Sequence, residues 1–294
     1  MSQGIILKAL SGFYYVRTGT ALLECRARGK FRMDGKSPLV GDAVELEETE
    51  PGKGVIRDIL PRKNWFVRPS VANVDALVLL AANVNPVTDP FLIDRVSVIA
   101  ESVKSDVVIC INKCDLDPGD ALFAAFSCNT QYPVLRTSAV TGEGVEDLLS
   151  LIRGKTVAFT GNSGVGKSSL LNCLAPGLQL AVGTVSERLG RGKHTTRHIE
   201  LFELPDGTRI ADTPGFSSFD LTQMQPIQKE ELQFYFPEFR PYLGSCRFDN
   251  CAHLKEPGCA VLKALHAGEI ARSRHESYQR LYEISAQYKA WDSK

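Results

Sequence analysis

The sequence predicts an α/β fold whose two halves stand in exchanged order, with a small β-barrel in front and a helical, cysteine-bearing domain behind. Three observations predict it. Gly161-Asn162-Ser163-Gly164-Val165-Gly166-Lys167-Ser168 has the pattern of a phosphate-binding loop between a strand and a helix. Asn112-Lys113-Cys114-Asp115, a pattern that reads guanine, comes before that loop, whereas the ordinary order is the reverse. Short β-rich segments fill the first part of the chain, and Cys246, Cys251, His253 and Cys259 crowd into 14 residues near its end.

The phosphate loop is justified by its surroundings. Residues 155–160 read as a buried parallel strand entering it, and 168–174 as the helix whose N-terminus faces the anion. In such a loop consecutive backbone N–H groups surround the phosphates, Lys167 reaches the β and γ oxygens, the Ser168 hydroxyl is offered to Mg²⁺, and Ser169 completes the first turn. Asp212-Thr213-Pro214-Gly215 follows the apolar strand 208–212. A second carboxylate belongs there to hold Mg²⁺ through water, and the Gly215 N–H then senses the γ-phosphate. Asn112 to Asp115 end the strand 106–111, and a carboxylate at Asp115 accepts two hydrogen bonds, from guanine N1–H and the exocyclic amine. Adenine lacks that donor pair, so GTP is the expected nucleotide. Thr137-Ser138-Ala139, after 132–135, fits the short loop that contacts the guanine carbonyl.

In chain order, strand 75–81, helix 91–103, the guanine strand, helix 120–126, a strand at Ser138-Ala139 and helix 145–152 form the second half of such a domain. The phosphate loop opens the first half, which continues through its helix, a Gly-rich switch segment 183–196, strand 198–204 and the Asp212 strand. The cut lies between the third and fourth strands. Alternating strands and helices still build a parallel sheet with ligands at its carboxyl ends, so the permuted order reproduces the same site. The predicted division is 1–68, 69–225 and 226–294.

Segments 5–9, 13–17, 21–27, 43–47 and 54–60, separated by Gly-containing turns, suit an OB-fold, a frequent oligonucleotide binder. Overall the 34 Lys and Arg balance the 34 Asp and Glu, but residues 1–70 hold 12 basic and 8 acidic (+4), 71–225 hold 12 and 17 (−5), and the remainder 10 and 9 (+1). Arg26, Arg28, Lys30 and Arg32 recur every second residue. In an extended chain all four project to one side, making either a phosphate-binding stripe with Phe31 and Arg57 as neighbours or a solvated strand edge protected by charge.

Three thiolates and an imidazole, Cys246, Cys251, His253 and Cys259, match the ligand set of a closed tetrahedral structural Zn²⁺ site, although the spacing is not that of a common zinc finger. With no open coordination position the metal stabilises rather than catalyses. Buried free cysteines and a surface histidine are the alternative. Cys25, Cys110, Cys114, Cys128 and Cys173 read as core or incidental. Around the cluster, 229–236, 260–266 and 274–290 read as helices. The last, with Arg272, Arg274, His275 and Arg280 among Tyr278, Tyr282 and Tyr288, either faces RNA or packs in the core, the commoner fate of tyrosines at helical spacing. His266 and His275 have no stronger reading than surface or helix positions.

No apolar run approaches the ~20 residues of a membrane span. Gly4-Ile5-Ile6-Leu7, interrupted by Lys8, lacks the form of a signal peptide. Eight cysteines without such a signal point to reduced thiols or metal ligands in the cytosol.

The permuted motif order, the segment Gly192-Lys193-His194-Thr195-Thr196 and the two flanking domains resemble the ribosome small-subunit-dependent GTPase A family (RsgA) over nearly the whole chain. The resemblance implies hydrolysis of GTP to GDP and phosphate, stimulated by the 30S subunit, in late 30S maturation, with the barrel contacting 16S rRNA. RsgA-type proteins carry the same Cys/His arrangement. Cofactors are then one structural Zn²⁺ and Mg²⁺ with GTP, and the expected protein is cytoplasmic, without membrane contact, and monomeric. Ras-like GTPases place a water-orienting Gln where this chain has Phe216, an apolar ring that cannot orient water. The nearest substitute is His194, which family reasoning also favours: an imidazole holds water through one nitrogen and is anchored through the other. The alternative is that His194 only contacts RNA or solvent. Thr195 or Thr196, with Thr196 preferred, lends a hydroxyl to Mg²⁺. Two rivals remain, an ATP-using phosphate-loop enzyme, against which Asp115 argues, and a GTP-gated RNA-binding scaffold with negligible hydrolysis, which Phe216 keeps open.

Overall fold

The strand β8 (Ala76–Ala82) is buried along its whole length, as a run of seven apolar residues must be when both faces of a parallel sheet are covered. In the computed structural model, which describes residues 2–19, 21–29, 31, 37–67, 70–128, 130–176, 200–212 and 227–287, β8 lies inside the order β10-β9-β8-β11-β13-β12. β9 (Asp106–Asn112), β10 (Val134–Thr137), β11 (Thr156–Gly161) and β13 (Arg209–Asp212) run parallel to it, and β12 (Glu200–Glu203) is an antiparallel edge. The register places Gly161 beside Leu80 and Asn112 beside both Ala82 and Thr137, so the carboxyl ends of four strands meet at one edge. Helices α1 (Pro90–Ser102), α2 (Asp120–Ser127), α3 (Val145–Ile152) and α4 (Lys167–Leu174) agree with the expected bounds to within a residue or so. α1 is started by Asp89, whose side chain accepts from the Phe91 N–H, with Pro90 in the first turn. Ser138 and Ala139 follow β10 in a loop rather than forming a strand, because the strand ends at Thr137.

The N-terminal strands β1 (Ser2–Leu10), β2 (Phe13–Thr18), β3 (Ala21–Ala27), β4 (Ala43–Glu50) and β5 (Lys53–Ile59) close a five-stranded barrel in the order β1-β2-β3-β5-β4, completed by β1–β4 pairing. Ile6, Val16, Leu23, Val44, Leu46 and Ile56 fill it. A short hairpin, β6 (Trp65–Phe66) with β7 (Val71–Ala72), leads into β8. β1 also pairs with β12 at Lys8↔Glu200, so the barrel and the α/β sheet are one continuous sheet of eleven strands. The sequence offers no signal for that pairing.

The basic stripe is not built as expected. β3 stops at Ala27, the chain turns at Gly29, and Phe31 is buried in the core, where an aromatic ring gains more than on a solvated edge. Arg26 lies 4.6 Å from the centroid of Phe13, Arg57 pairs with Glu47, and Lys30 and Arg32 are outside the described residues.

In the C-terminal part the helix expected over 229–236 is a 3-10 turn at Leu232–Tyr235 followed by another at Pro237–Tyr242. Pro237 disfavours a helical residue before it, and Phe236 is extended at φ −109 and ψ 98. α5 (Ala260–His266) and α6 (Arg272–Ser285) follow. Leu232, Phe236, Phe239, Val261, Ile270, Tyr278 and Leu281 form its core together with Val98 of α1, which settles α6 as a packed helix. His275, expected at a surface or helix position, is buried there. Among the described residues no helix is long and apolar enough to cross a membrane.

Candidate functional site

β11 delivers the chain to Gly161, and α4 starts six residues later. A Cβ on Gly161 would stand 2.5 Å from the Leu80 carbonyl oxygen, and one on Gly166, at φ 96, would stand 2.4 Å from Asn112 Nδ2. Both positions require glycine, since the loop runs against the neighbouring strand and the guanine motif. Asn162, Ser163 and Gly164 form the turn, closed by the Val165 N–H donating to the Asn162 carbonyl at 3.2 Å. Val165 itself is buried, and Lys167, Ser168 and Ser169 form the first turn of α4. The loop thus has the backbone shape of a cradle for phosphates at a helix N-terminus, and Ser168 stands where a hydroxyl could complete a hard, oxygen-rich Mg²⁺ shell.

The guanine motif closes on this loop. Asn112 is 1% exposed. Its Nδ2 donates to the Val165 carbonyl at 2.8 Å and its Oδ1 accepts from Thr137 Oγ1 at 3.1 Å. One amide thus ties the ends of β9 and β10 to the phosphate loop that follows β11. Lys113, at φ 64, donates from Nζ to the Asn85 carbonyl. Ser138 donates from Oγ to Asp115 Oδ1 at 2.6 Å and accepts from the Val140 and Thr141 N–H groups, so the carboxylate is held in place with lone pairs to spare. The Ala139 carbonyl accepts from Cys173 Sγ at 3.2 Å, which ties α4 to the same loop. Asp212 ends β13, next to the phosphate-loop strand in the sheet. His194, Thr196 and Gly215 lie outside the described residues.

The four C-terminal candidates converge. One ligand atom from each of Cys246, Cys251, His253 and Cys259 lies within 4.8 Å of all the others. Cys246 Sγ and Cys259 Sγ are 3.9 Å apart, and His253 Nδ1 is 3.6 and 3.3 Å from them. A tetrahedral Zn²⁺ with its usual bond lengths sets its sulfurs about 3.8 Å apart, so the cluster fits such an ion. His253 Nε2–H donates to Gln233 Oε1 at 2.8 Å, leaving Nδ1 to the cluster, and burial keeps this imidazole from charging by lowering its pKa. Burial pushes the Cys251 thiol up to about 12, so the thiolate needs a compensating cation. Glu256 accepts from the Ala252, Leu254 and Lys255 N–H groups. Burial opposes its charge, but these donors outweigh it and lower its pKa. His275 donates from Nε2 to the His253 carbonyl at 2.7 Å, and Tyr278 to the Ala252 carbonyl at 2.9 Å.

Sequence reasoning missed Asn85, Gln233, Glu256 and this use of His275 and Tyr278. Each acts through a contact with residues distant in the chain or with a backbone group, which no local pattern records. The free thiols of Cys25 and Cys110, by contrast, are buried as expected, and burial pushes them up to about 11 and about 12.

A family model described as RsgA GTPase matches residues 59–222, and one described as RsgA N-terminal domain matches residues 3–56. The chain belongs to the RsgA GTPase family. It is therefore a GTPase, a hydrolase acting on GTP. Two relatives named small ribosomal subunit biogenesis GTPase RsgA are similar along their length. That of Caldanaerobacter subterraneus subsp. tengcongensis is 45% identical over 281 residues, covering 95% of this chain and 94% of the relative. That of Geobacillus sp. strain WCH70 is 46% identical over 283 residues, covering 95% of each. The crystal structure of YjeQ from Thermotoga maritima superposes with a TM-score of 0.83 at 36% identity, covering 98% of this chain and 99% of that one. YloQ, described as a circularly permuted GTPase, gives 0.80 at 37% identity, covering 98% and 96%. The RsgA fold, with five-stranded barrel and permuted GTPase domain, accounts for the motif order.

Proposed function

We propose that this GTPase acts in late maturation of the small ribosomal subunit, binding GTP between the 161–169 loop and the Asn112, Lys113, Asp115, Ser138 and Ala139 cluster. The Asn112 Nδ2 to Val165 carbonyl bond carries the reading, because it joins the guanine motif to the phosphate loop across the permuted order. Asp115, already held by Ser138, would accept from guanine N1–H and the exocyclic amine. Lys167 would contact the β and γ oxygens, and Ser168, Thr196 and Asp212 would hold Mg²⁺, which supplies charge neutralisation of the phosphates when bound. Gly215 would sense the γ-phosphate and His194 would orient the attacking water. Cys246, Cys251, His253 and Cys259 would hold one structural Zn²⁺, a reading supported by their fit to a tetrahedron. The partners would be GTP and GDP, the 30S subunit and its 16S rRNA, met by the barrel 1–68 as the permuted domain 69–225 changes nucleotide and the metal domain 226–294 docks. The protein would work as a cytoplasmic monomer.

A GTP-gated RNA-binding scaffold with negligible hydrolysis is the second reading, favoured by Phe216 in place of a polar residue. Displacement of a fluorescent GDP by GTP but not by ATP is expected, and Asp115→Asn should lose the preference for guanine. Equal displacement by ATP would remove the guanine assignment. His194→Ala should retain GTP binding and lose turnover on 30S subunits. Turnover retained in that variant refutes the role of His194, and absence of turnover in the unmodified protein favours the scaffold.

A further inference from the structure

Helix α1 packs on β8 and β9 on one side and on α6 and the first 3-10 turn of the C-terminal domain on the other. Asp94, 2% exposed, sits in that second contact. Arg274, 1% exposed, reaches it from α6: Nη1 donates to Asp94 Oδ1 at 2.5 Å, while Nε and Nη2 donate to Glu238 at 2.5 and 3.2 Å. Burial works against the guanidinium charge, and the Asp94 and Glu238 carboxylates outweigh it, holding Arg274 protonated above the ordinary arginine range. At the first turn of α1, Arg280 of α6 lies 3.8 Å from the Phe91 ring centroid and 4.0 Å from Asp89, the residue that caps α1.

The segment leading into that turn touches the nucleotide site twice. The Asn85 carbonyl accepts the Lys113 ammonium, and Pro86 Cδ faces the phosphate loop, 3.6 Å from where a Cβ on Gly164 would stand. Thr88 fastens the segment to β8, its Oγ1 accepting from the Ala82 N–H at 2.9 Å and its N–H donating to the Ala82 carbonyl at 2.8 Å. Asn83 Nδ2 donates to Asp117 just past the guanine motif at 3.0 Å. A displacement of α1 along its axis would therefore be felt by Lys113 and by the apex of the phosphate loop.

We propose that Arg274 is a positioning residue for the nucleotide site: by fixing α1 through Asp94 it sets the 83–89 segment against Lys113 and Gly164, so that docking of the metal domain tunes guanine nucleotide affinity. The route is non-covalent and separate from the chain connection through 213–226. It rests on the nucleotide assignment above. Any partner that pulls the C-terminal domain off α1 then changes nucleotide affinity, and by linkage the nucleotide changes the grip on that partner by the same factor.

The test is the dissociation constant of fluorescent GDP for the full metal-loaded chain, measured alongside metal content and the intrinsic kcat for GTP. The titration of the unmodified protein separates a failure of the nucleotide assignment from a failure of the coupling. Arg274→Lys, which keeps the charge but loses the fork across two carboxylates, should weaken GDP binding about fivefold or more, the lower bound of ordinary coupling between sites, with metal content and kcat unchanged. Arg280→Ala, at the exposed end of the same contact, should weaken it about two- to threefold, and it decides the question should Arg274→Lys not fold. A dissociation constant unchanged in the folded variant, or one that moves only together with lost metal, overturns the proposal.

Discussion

The GTPase domain is held on two sides by different physics. On the barrel side the joint is main chain: β1 adds to the edge strand β12, with Lys8 on Glu200 at 2.7 Å and Arg17 near Glu203 at 3.3 Å, all part-exposed. On the other side, among the described residues, no strand is shared. Arg274 and Asp94 are sealed from water between α6 and α1, with the part-buried Glu238 of the second 3-10 turn on the guanidinium and the apolar contact of Val98 beside them. Backbone pairing with exposed charges tolerates side-chain change. A buried three-charge cluster does not, because removing one partner leaves the others desolvated and unpaired. The barrel is thus attached by a joint that depends weakly on any one residue, and the metal domain by one that depends strongly on a single arginine.

The two joints should part most clearly on metal removal. If the Cys246, Cys251, His253, Cys259 cluster holds a structural zinc ion, stripping it should unfold the C-terminal domain, since structural zinc sites contribute on the order of 10 kcal/mol, while the barrel and the sheet persist. Hydrogen exchange confined to 227–287 is the expected pattern, and uniform protection after chelation contradicts it. Arg274→Ala comes next: a loss of about 3–5 kcal/mol in urea unfolding, with little of it recovered in Arg274→Ala with Glu238→Gln, because buried Asp94 still lacks its cation. Gln233→Leu should weaken metal binding about 10- to 100-fold by freeing the His253 ring, read by competition with a chelating dye. Smallest is Lys8→Ala, expected to cost less than about 1 kcal/mol and to lose even that in high salt. A larger, salt-independent cost would place the barrel joint in the same class as the buried one.

What could be read from the sequence follows the same division. β8, β9, α3 and α5 were legible because each carries its pattern within its own length: unbroken apolar runs for central strands, helical spacing for the others. The phosphate-loop pattern, the guanine motif and the Cys/His cluster were legible because their members stand close in sequence. The β1–β12 pairing was not, since strand addition at an edge leaves no mark on either strand. The basic stripe misled because alternation at Arg26, Arg28, Lys30 and Arg32 holds only while the strand continues, and Phe31 buries itself just past its end. Arg274 stood in a helix that could face RNA or pack in the core, and nothing in the sequence named its partners. Its carboxylate partners lie 180 and 36 positions away, and only the tertiary fold brings them together.

The proposed role makes this permuted nucleotide site a switch operated by the small ribosomal subunit. It is tested most directly by single-turnover GTP hydrolysis with and without purified 30S subunits at fixed salt. Slow turnover alone and a rise of tenfold or more on adding 30S, absent with 50S, is the predicted result. The same rate under all three conditions would contradict the account.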